Sequence, residues 1–82
     1  MFYVYQLQSI KYPRQRYVGF TSDLKKRLLA HNNGGSAHTA KYIPWDLAGY
    51  QAFVDKHLAL EFEKYLKSGS GKAFGNKRLW TS

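Results

Sequence analysis

Five side chains could do chemistry together if the fold brings them to one place: Tyr5, Tyr17, Arg27, His31 and Glu63. A phenol and an imidazole can pass a proton, a guanidinium offers a planar fork of donors to an anion, and a carboxylate can hold a hard divalent ion. Arg27 and His31 stand four apart, so on a helix they project from one face. Tyr5 and Tyr17 fall in two apolar runs that can pair as strands. Each also has an ordinary reading. Strand tyrosines commonly pack a core, a lone helical Arg or His faces solvent, and a single helical Glu often does nothing specific. The elements that carry these residues must decide.

Residues 2–9 are rich in aromatic and β-branched types without Gly or Pro, which predicts a strand. Alternation places Tyr3, Tyr5 and Leu7 on one face and Phe2, Val4 and Gln6 on the other. A loop with Pro13 leads to a second strand over 16–20, the antiparallel hairpin partner, with Tyr17 and Gly19 facing one way and Val18 and Phe20 the other. A glycine inside so short a strand marks close backbone approach. Thr21, Ser22 and Asp23 offer caps for a helix over 24–31, with Leu24, Leu28 and Leu29 as its buried stripe. Asn32 to Ser36 stop it, and a loop of small and basic residues runs on to Pro44. A third strand is expected over 45–54. Asp55 can cap a second long helix whose Leu58, Phe62, Tyr65 and Leu66 repeat at helical spacing. The Ser-Gly-Ser-Gly run at 68–71 breaks that helix, and 72–80 should form a last short helix or turn.

The chain has 82 residues, with 13 Lys and Arg against 5 Asp and Glu and no cysteine. That length predicts one domain, residues 1–82, with no repeat, long linker or second domain. A total of 2 Trp, 7 Tyr and 5 Phe is enough to build a core, so disorder is not expected. The missing cysteines exclude disulfide frameworks, thiol catalysis and cysteine-bound zinc. No apolar run is long enough for a membrane helix and the N-terminal residues do not read as a secretory signal, so the cytoplasm is the expected compartment and no membrane partner is expected. The net charge of +8 is concentrated in residues 1–41, which carry seven basic residues and one acid. A charge of that size points to a polyanion, with a well-solvated basic surface as the plainer explanation.

Two other motifs fall away. Gly69-Ser70-Gly71-Lys72 lacks both the upstream glycine and the following Ser or Thr of a phosphate loop, and it follows a helix instead of a strand. His31, His38 and His57 do not have zinc-ligand spacing.

Tyr3-Val4-Tyr5, then Tyr17-Val18-Gly19 after a short hairpin, then Thr21, Asp23-Leu24, Arg27 and His31-Asn32, resemble the GIY-YIG endonucleases. The stretch from Ala59 to Lys67 resembles that family's helix bearing the metal-binding Glu. The similarity covers nearly the whole chain and is closest to small stand-alone bacterial members and to the nuclease module of structure-selective junction resolvases. Tyr3 stands where the family name prescribes Gly, and Val18 where it prescribes Ile. The resemblance implies an α+β fold, a small three-stranded antiparallel sheet flanked by helices in the order β-β-α-β-α-α.

It also implies a metal-dependent endonuclease acting on phosphodiesters. Tyr5 would be the general base, Tyr17 would position water or phosphate, Arg27 would stabilise the transition state, and Glu63 would hold the ion. Glu61 competes for that last role; the spacing of Glu63 to Lys67 and its place beside the apolar stripe favour Glu63. An ordinary phenol has a pKa near ~10 and is a poor base at neutral pH. Positive charge from Arg27, Lys26 and the metal is expected to favour phenolate, with neutral His31 receiving the proton. So few acids suit one Mg2+ or Mn2+ ion better than a cluster of carboxylates around two.

Lys25, Lys26, Lys41 and His38 would bind backbone phosphates without reading bases. The partner expected is nucleic acid, DNA before RNA, with a homodimer or a protein partner as a further possibility. The expected cleavage is structure-selective or weakly specific. The competing readings are a catalytically idle nucleic-acid-binding module and an adaptor within a DNA repair or recombination complex.

Overall fold

The structure, a computed structural model, describes residues 1–80. Strand β1 (Phe2–Ser9) pairs antiparallel with β2 (Arg16–Thr21) on one side and with β3 (Trp45–Phe53) on the other, giving the sheet order β2-β1-β3. The helices are α1 (Leu24–Asn32), α2 (Ala37–Ala40), α3 (Lys56–Leu66) and α4 (Gly69–Arg78). This is the expected α+β architecture, with one additional helical turn, α2.

As the central strand, β1 is covered on both faces. Val4, Tyr5, Gln6, Leu7 and Ser9 are all buried, so alternation along β1 separates two cores instead of a core from solvent. Tyr5 and Leu7 pack with Trp45 against Tyr17, Leu24, Leu28 and Leu47. Val4 packs on the opposite face with Ala59 and Leu66, flanked by Phe2, Val18, Phe20, Phe53 and Phe62. Gln6, a polar residue in that second layer, is satisfied by reciprocal amide hydrogen bonds with Gln51 at 2.8 and 3.0 Å, which removes the cost of burying it. The pairing of β1 with β3 shifts register between Gln6 and Leu7.

The hairpin register places Tyr5 opposite Gly19 and Leu7 opposite Tyr17. Helix α1 starts where the capping residues indicate: Asp23 accepts the Lys26 amide at 3.1 Å, and Thr21 Oγ1 accepts the Asp23 amide at 3.1 Å. Its inner face is Leu24, Leu28 and His31. Leu29, expected in the buried stripe, is 57% exposed because it sits one position off that face.

Three further expectations need correction. The loop after α1 contains α2, a single turn too short to show a periodicity. Helix α3 is capped by Asp55, which accepts the His57 amide at 2.8 Å, but it turns Ala59, Phe62 and Leu66 to the sheet. Leu58 and Tyr65 are 52% and 41% exposed; the small Ala59 lets the helix seat closely, and the bulkier neighbours are left at the edges. Ser68-Gly69-Ser70-Gly71 breaks α3 and also starts α4. Ser68 accepts the Gly71 amide at 3.1 Å as the cap, so α4 begins at Gly69 and not at 72. A β-carbon at Gly71 would overlap the Tyr65 carbonyl, so the tight turn between α3 and α4 requires a residue without one.

Candidate active site

The hairpin and α1 bring four of the five proposed catalytic residues into contact. Tyr5 and Tyr17 present their rings on the same sheet face with centroids 6.2 Å apart, and His31 from α1 meets both at 5.7 and 5.0 Å. Gly19 makes this possible. Its backbone lies directly under the Tyr5 phenol, and any β-carbon there would collide with Tyr5 Cζ and its hydroxyl and press on Tyr17. The glycine of the second tripeptide is therefore a steric requirement of the first tripeptide's tyrosine.

Around the Tyr5 hydroxyl runs an ordered chain of hydrogen bonds. Arg27 Nε donates to Tyr5 at 3.3 Å, and the Tyr5 hydroxyl lies 2.8 Å from His31 Nε2. His31 Nδ1 lies 2.8 Å from Thr39 Oγ1, and Thr39 Oγ1 donates to the Ser36 carbonyl at 3.4 Å. The Tyr5 oxygen accepts from Arg27, so a protonated phenol has its one proton for His31 Nε2; in that arrangement Nδ1–H faces Thr39 Oγ1, whose own proton faces the Ser36 carbonyl. The helical turn α2 thus supplies the partner of the second histidine nitrogen. Nothing in the sequence singled out Thr39.

Electrostatics follow from burial. The Tyr5 phenol is pushed above its ordinary value, first by burial and then by Tyr17 and Glu63, against the opposing pull of the Arg27 hydrogen bond and charge. Of the cations expected to favour phenolate, Arg27 does pull the phenol down, but burial of a residue only 1% exposed outweighs that pull and the net shift is upward. His31 is driven below its ordinary value by burial and by the Arg27 charge, so it is neutral at pH 7. Arg27 is held charged, principally by its hydrogen bond to Tyr5.

Glu63 comes from α3. Its charge reaches Tyr5, and its Oε2 receives Lys67 Nζ at 3.1 Å with the carboxylate side chain 20% exposed. Glu61 instead pairs with His57 at 3.0 Å on the outer side of the helix, with both side chains largely in solvent. Among the described residues no three His, Asp or Glu side chains gather as a metal-binding group. A magnesium or manganese ion would therefore rely on Glu63, a half-shielded hard oxygen donor already balanced by a cation, and fill its remaining positions with water and phosphate. That donor chemistry fits a single ion.

The proposed phosphate contacts are spread around this centre. Lys26 shares a hollow with Arg27, Thr21 and Ala30. His38 lines another with Arg16, Tyr17 and Lys67. Lys25 faces the far flank of α1, beside Tyr3, Leu28 and Tyr50, and Lys41 is exposed just after α2. Arg16 and Lys67 were not among the residues assigned to the site, although both stand at its mouth; the i, i+4 spacing of Lys67 from Glu63 was the only sign in the sequence.

A family model described as the GIY-YIG catalytic domain matches residues 1–78. A UPF0213 protein of Lacticaseibacillus paracasei is 48% identical over 52 residues, 62% of this chain and 58% of that protein's length. A UPF0213 protein of Streptococcus pyogenes serotype M3 is 38% identical over 66 residues, covering 79% of this chain and 70% of the relative. The match thus spans less than two thirds of the first relative's length. With paired tyrosines on adjacent strands, an arginine and a histidine meeting them from the next helix, and a family match over nearly every residue, the chain belongs to the GIY-YIG nuclease family.

Proposed function

We propose that this chain is a metal-dependent endonuclease that hydrolyses phosphodiester bonds in DNA with little base specificity, cutting by preference at structural irregularities. The observation that carries the reading is the hydrogen-bond chain from Arg27 through Tyr5 to His31. It supplies a base its partner. The Tyr5 oxygen takes a proton from the attacking water as it passes its own proton to neutral His31 Nε2, so no free phenolate has to form in a buried site. The water oxygen bonds to phosphorus as the P–O bond to the leaving strand breaks. Arg27, anchored through Nε, keeps its two terminal nitrogens for the phosphate oxygens, where charge grows in the transition state. Tyr17 orients the phosphate from the neighbouring strand. An ion held by Glu63 would supply Lewis-acid stabilisation of the developing charge.

The test compares cleavage of branched and single-stranded DNA in magnesium or manganese with cleavage in chelator. Arg27→Ala and Glu63→Ala should each abolish metal-dependent cleavage while melting near the wild type, since neither side chain belongs to a core. Wild-type turnover in either variant would refute the assignment. A binding module without turnover draws support from the burial of Tyr5; in that case the wild type binds DNA but does not cut in any metal.

A further inference from the structure

Beside the catalytic centre, on the side where β2 meets the end of α3 and α4, lies a second cavity of about 330 Å³. Its size is at the lower end of the ~300–1,000 Å³ typical of small-ligand sites. One wall is apolar, made of Val18, Leu66, Leu79 and Trp80; the rim is cationic, made of Arg16, Lys67 and Lys72. The hollow containing His38 shares Arg16, Tyr17 and Lys67 with this cavity, so the two adjoin across these side chains.

Arg16 is the informative residue. Its guanidinium lies 4.8 Å over the Trp80 ring, and Nη1 donates to Asn76 Oδ1 at 2.9 Å. The planar fork is thus held in place by an aromatic ring and an amide. Among the described residues the ion pairs are His57–Glu61 and Glu63–Lys67, so neither Arg16 nor Lys72 has an acidic partner. An oriented guanidinium with no carboxylate partner among the described residues, over an apolar recess, is complementary to a flat apolar group that carries an anion.

We propose that this cavity receives one unpaired nucleotide of the bound strand, its base against the Val18, Leu66 and Trp80 wall and its phosphate on Arg16 and Lys72. This deepens the nuclease reading and rests on it for the path of the strand. A cavity that takes an unpaired base gives the chain a means of preferring flaps and branches over intact duplex, without reading sequence.

The experiment measures binding by fluorescence anisotropy in chelator, so that no cleavage occurs. Three labelled DNA probes are used: an intact duplex, the same duplex with one unpaired nucleotide at a flap, and that flap with an abasic unpaired position. The wild type should bind the flap about tenfold more tightly than the abasic probe, the scale of one base stacked on protein. Trp80→Leu should erase that difference, and Arg16→Gln should weaken binding of both flap probes, which share the phosphate, by a larger factor than it weakens duplex binding. Arg16→Gln removes no core packing, so it keeps the test valid if the Trp80 variant does not fold.

Equal binding of the flap and abasic probes by the wild type would overturn the inference, as would a parallel loss of duplex and flap binding in both variants. So would binding of a free mononucleotide as tight as that of the flap. Failure of the nuclease reading has a different signature: flap preference persists, is reduced in Arg16→Gln, and no metal supports cleavage.

Discussion

Gly19→Ala is the sharpest test of how the site is built, because the substituted residue itself does no chemistry. A methyl group at position 19 would occupy the space of the Tyr5 Cζ and hydroxyl, with Tyr17 close behind it. Restoring van der Waals separation requires the phenol to retreat by roughly 1 Å, and overpacking of that kind costs about 1–3 kcal/mol. The phenol has little room, because Tyr5 and His31 are both buried. Its hydrogen bonds of 2.8 Å to His31 and 3.3 Å to Arg27 cannot both survive such a shift.

Misplacement by ~1 Å at a reacting centre can reduce the rate about 100-fold. The expected result is thus a chain that still folds, melts at a lower urea concentration, and cleaves about two orders of magnitude more slowly at saturating substrate, with DNA affinity in chelator unchanged. Urea denaturation and single-turnover cleavage measure the two effects. Normal turnover in Gly19→Ala would mean that the Tyr5 hydroxyl does not need its present position, and the proton path assigned to it would fall.

Tyr5→Phe keeps the ring but strips His31 Nε2 of its donor inside the protein; stability should drop by about 1–3 kcal/mol and cleavage should vanish, whereas a tyrosine serving only as core would lose stability and keep cutting. His31 binds a proton less readily folded than unfolded, so the unfolded chain takes up protons first on acidification. Stability should therefore fall as pH drops through the ordinary histidine range near ~6.5 and on toward the lowered folded value, with a slope no steeper than about 1.4 kcal/mol per pH unit for one proton. Thermal melts from pH 8 to 5 should show this slope, and His31→Gln should flatten it. Duplex affinity should decline with salt; if Lys25, Lys26 and Lys41 each neutralise one phosphate, the triple Gln variant should make the slope of log K against log salt shallower by roughly 2.7, and an unchanged slope would remove these lysines from the interface.

Much of this site can be read from the chain before folding. The aromatic runs of the hairpin, the capping Asp23 and Asp55, and the helical spacing of Arg27 and His31 each report a local preference, and local preferences survive into the fold. What could not be read depends on depth or on partners far along the chain. Helix α3 has apolar residues on most of its circumference, so Leu58, Phe62, Tyr65 and Leu66 make as regular a stripe as Ala59, Phe62 and Leu66. Only the seating of Ala59 against the sheet picks one. The Gly-rich run before α4 looks like a helix breaker by propensity, yet Ser68 caps a helix there because the turn cannot tolerate a β-carbon at Gly71. The sign of the Tyr5 shift balances burial against Arg27, and burial is a property of the assembled sheet. Thr39 carries no signal, since its role exists only through His31.

Because the inner strand of the sheet carries Tyr5 in a packed core, the phenol serves the architecture as well as the reaction proposed for it. A chain of this fold that does not cut nucleic acid would still need that ring, and with it Gly19, to stay folded. Arg27 and Glu63 belong to neither core, so folding constrains them less. In chains of this shape, the persistence of the motif tyrosine therefore reports on foldedness, whereas the guanidinium and the carboxylate together bear on the proposed cleavage.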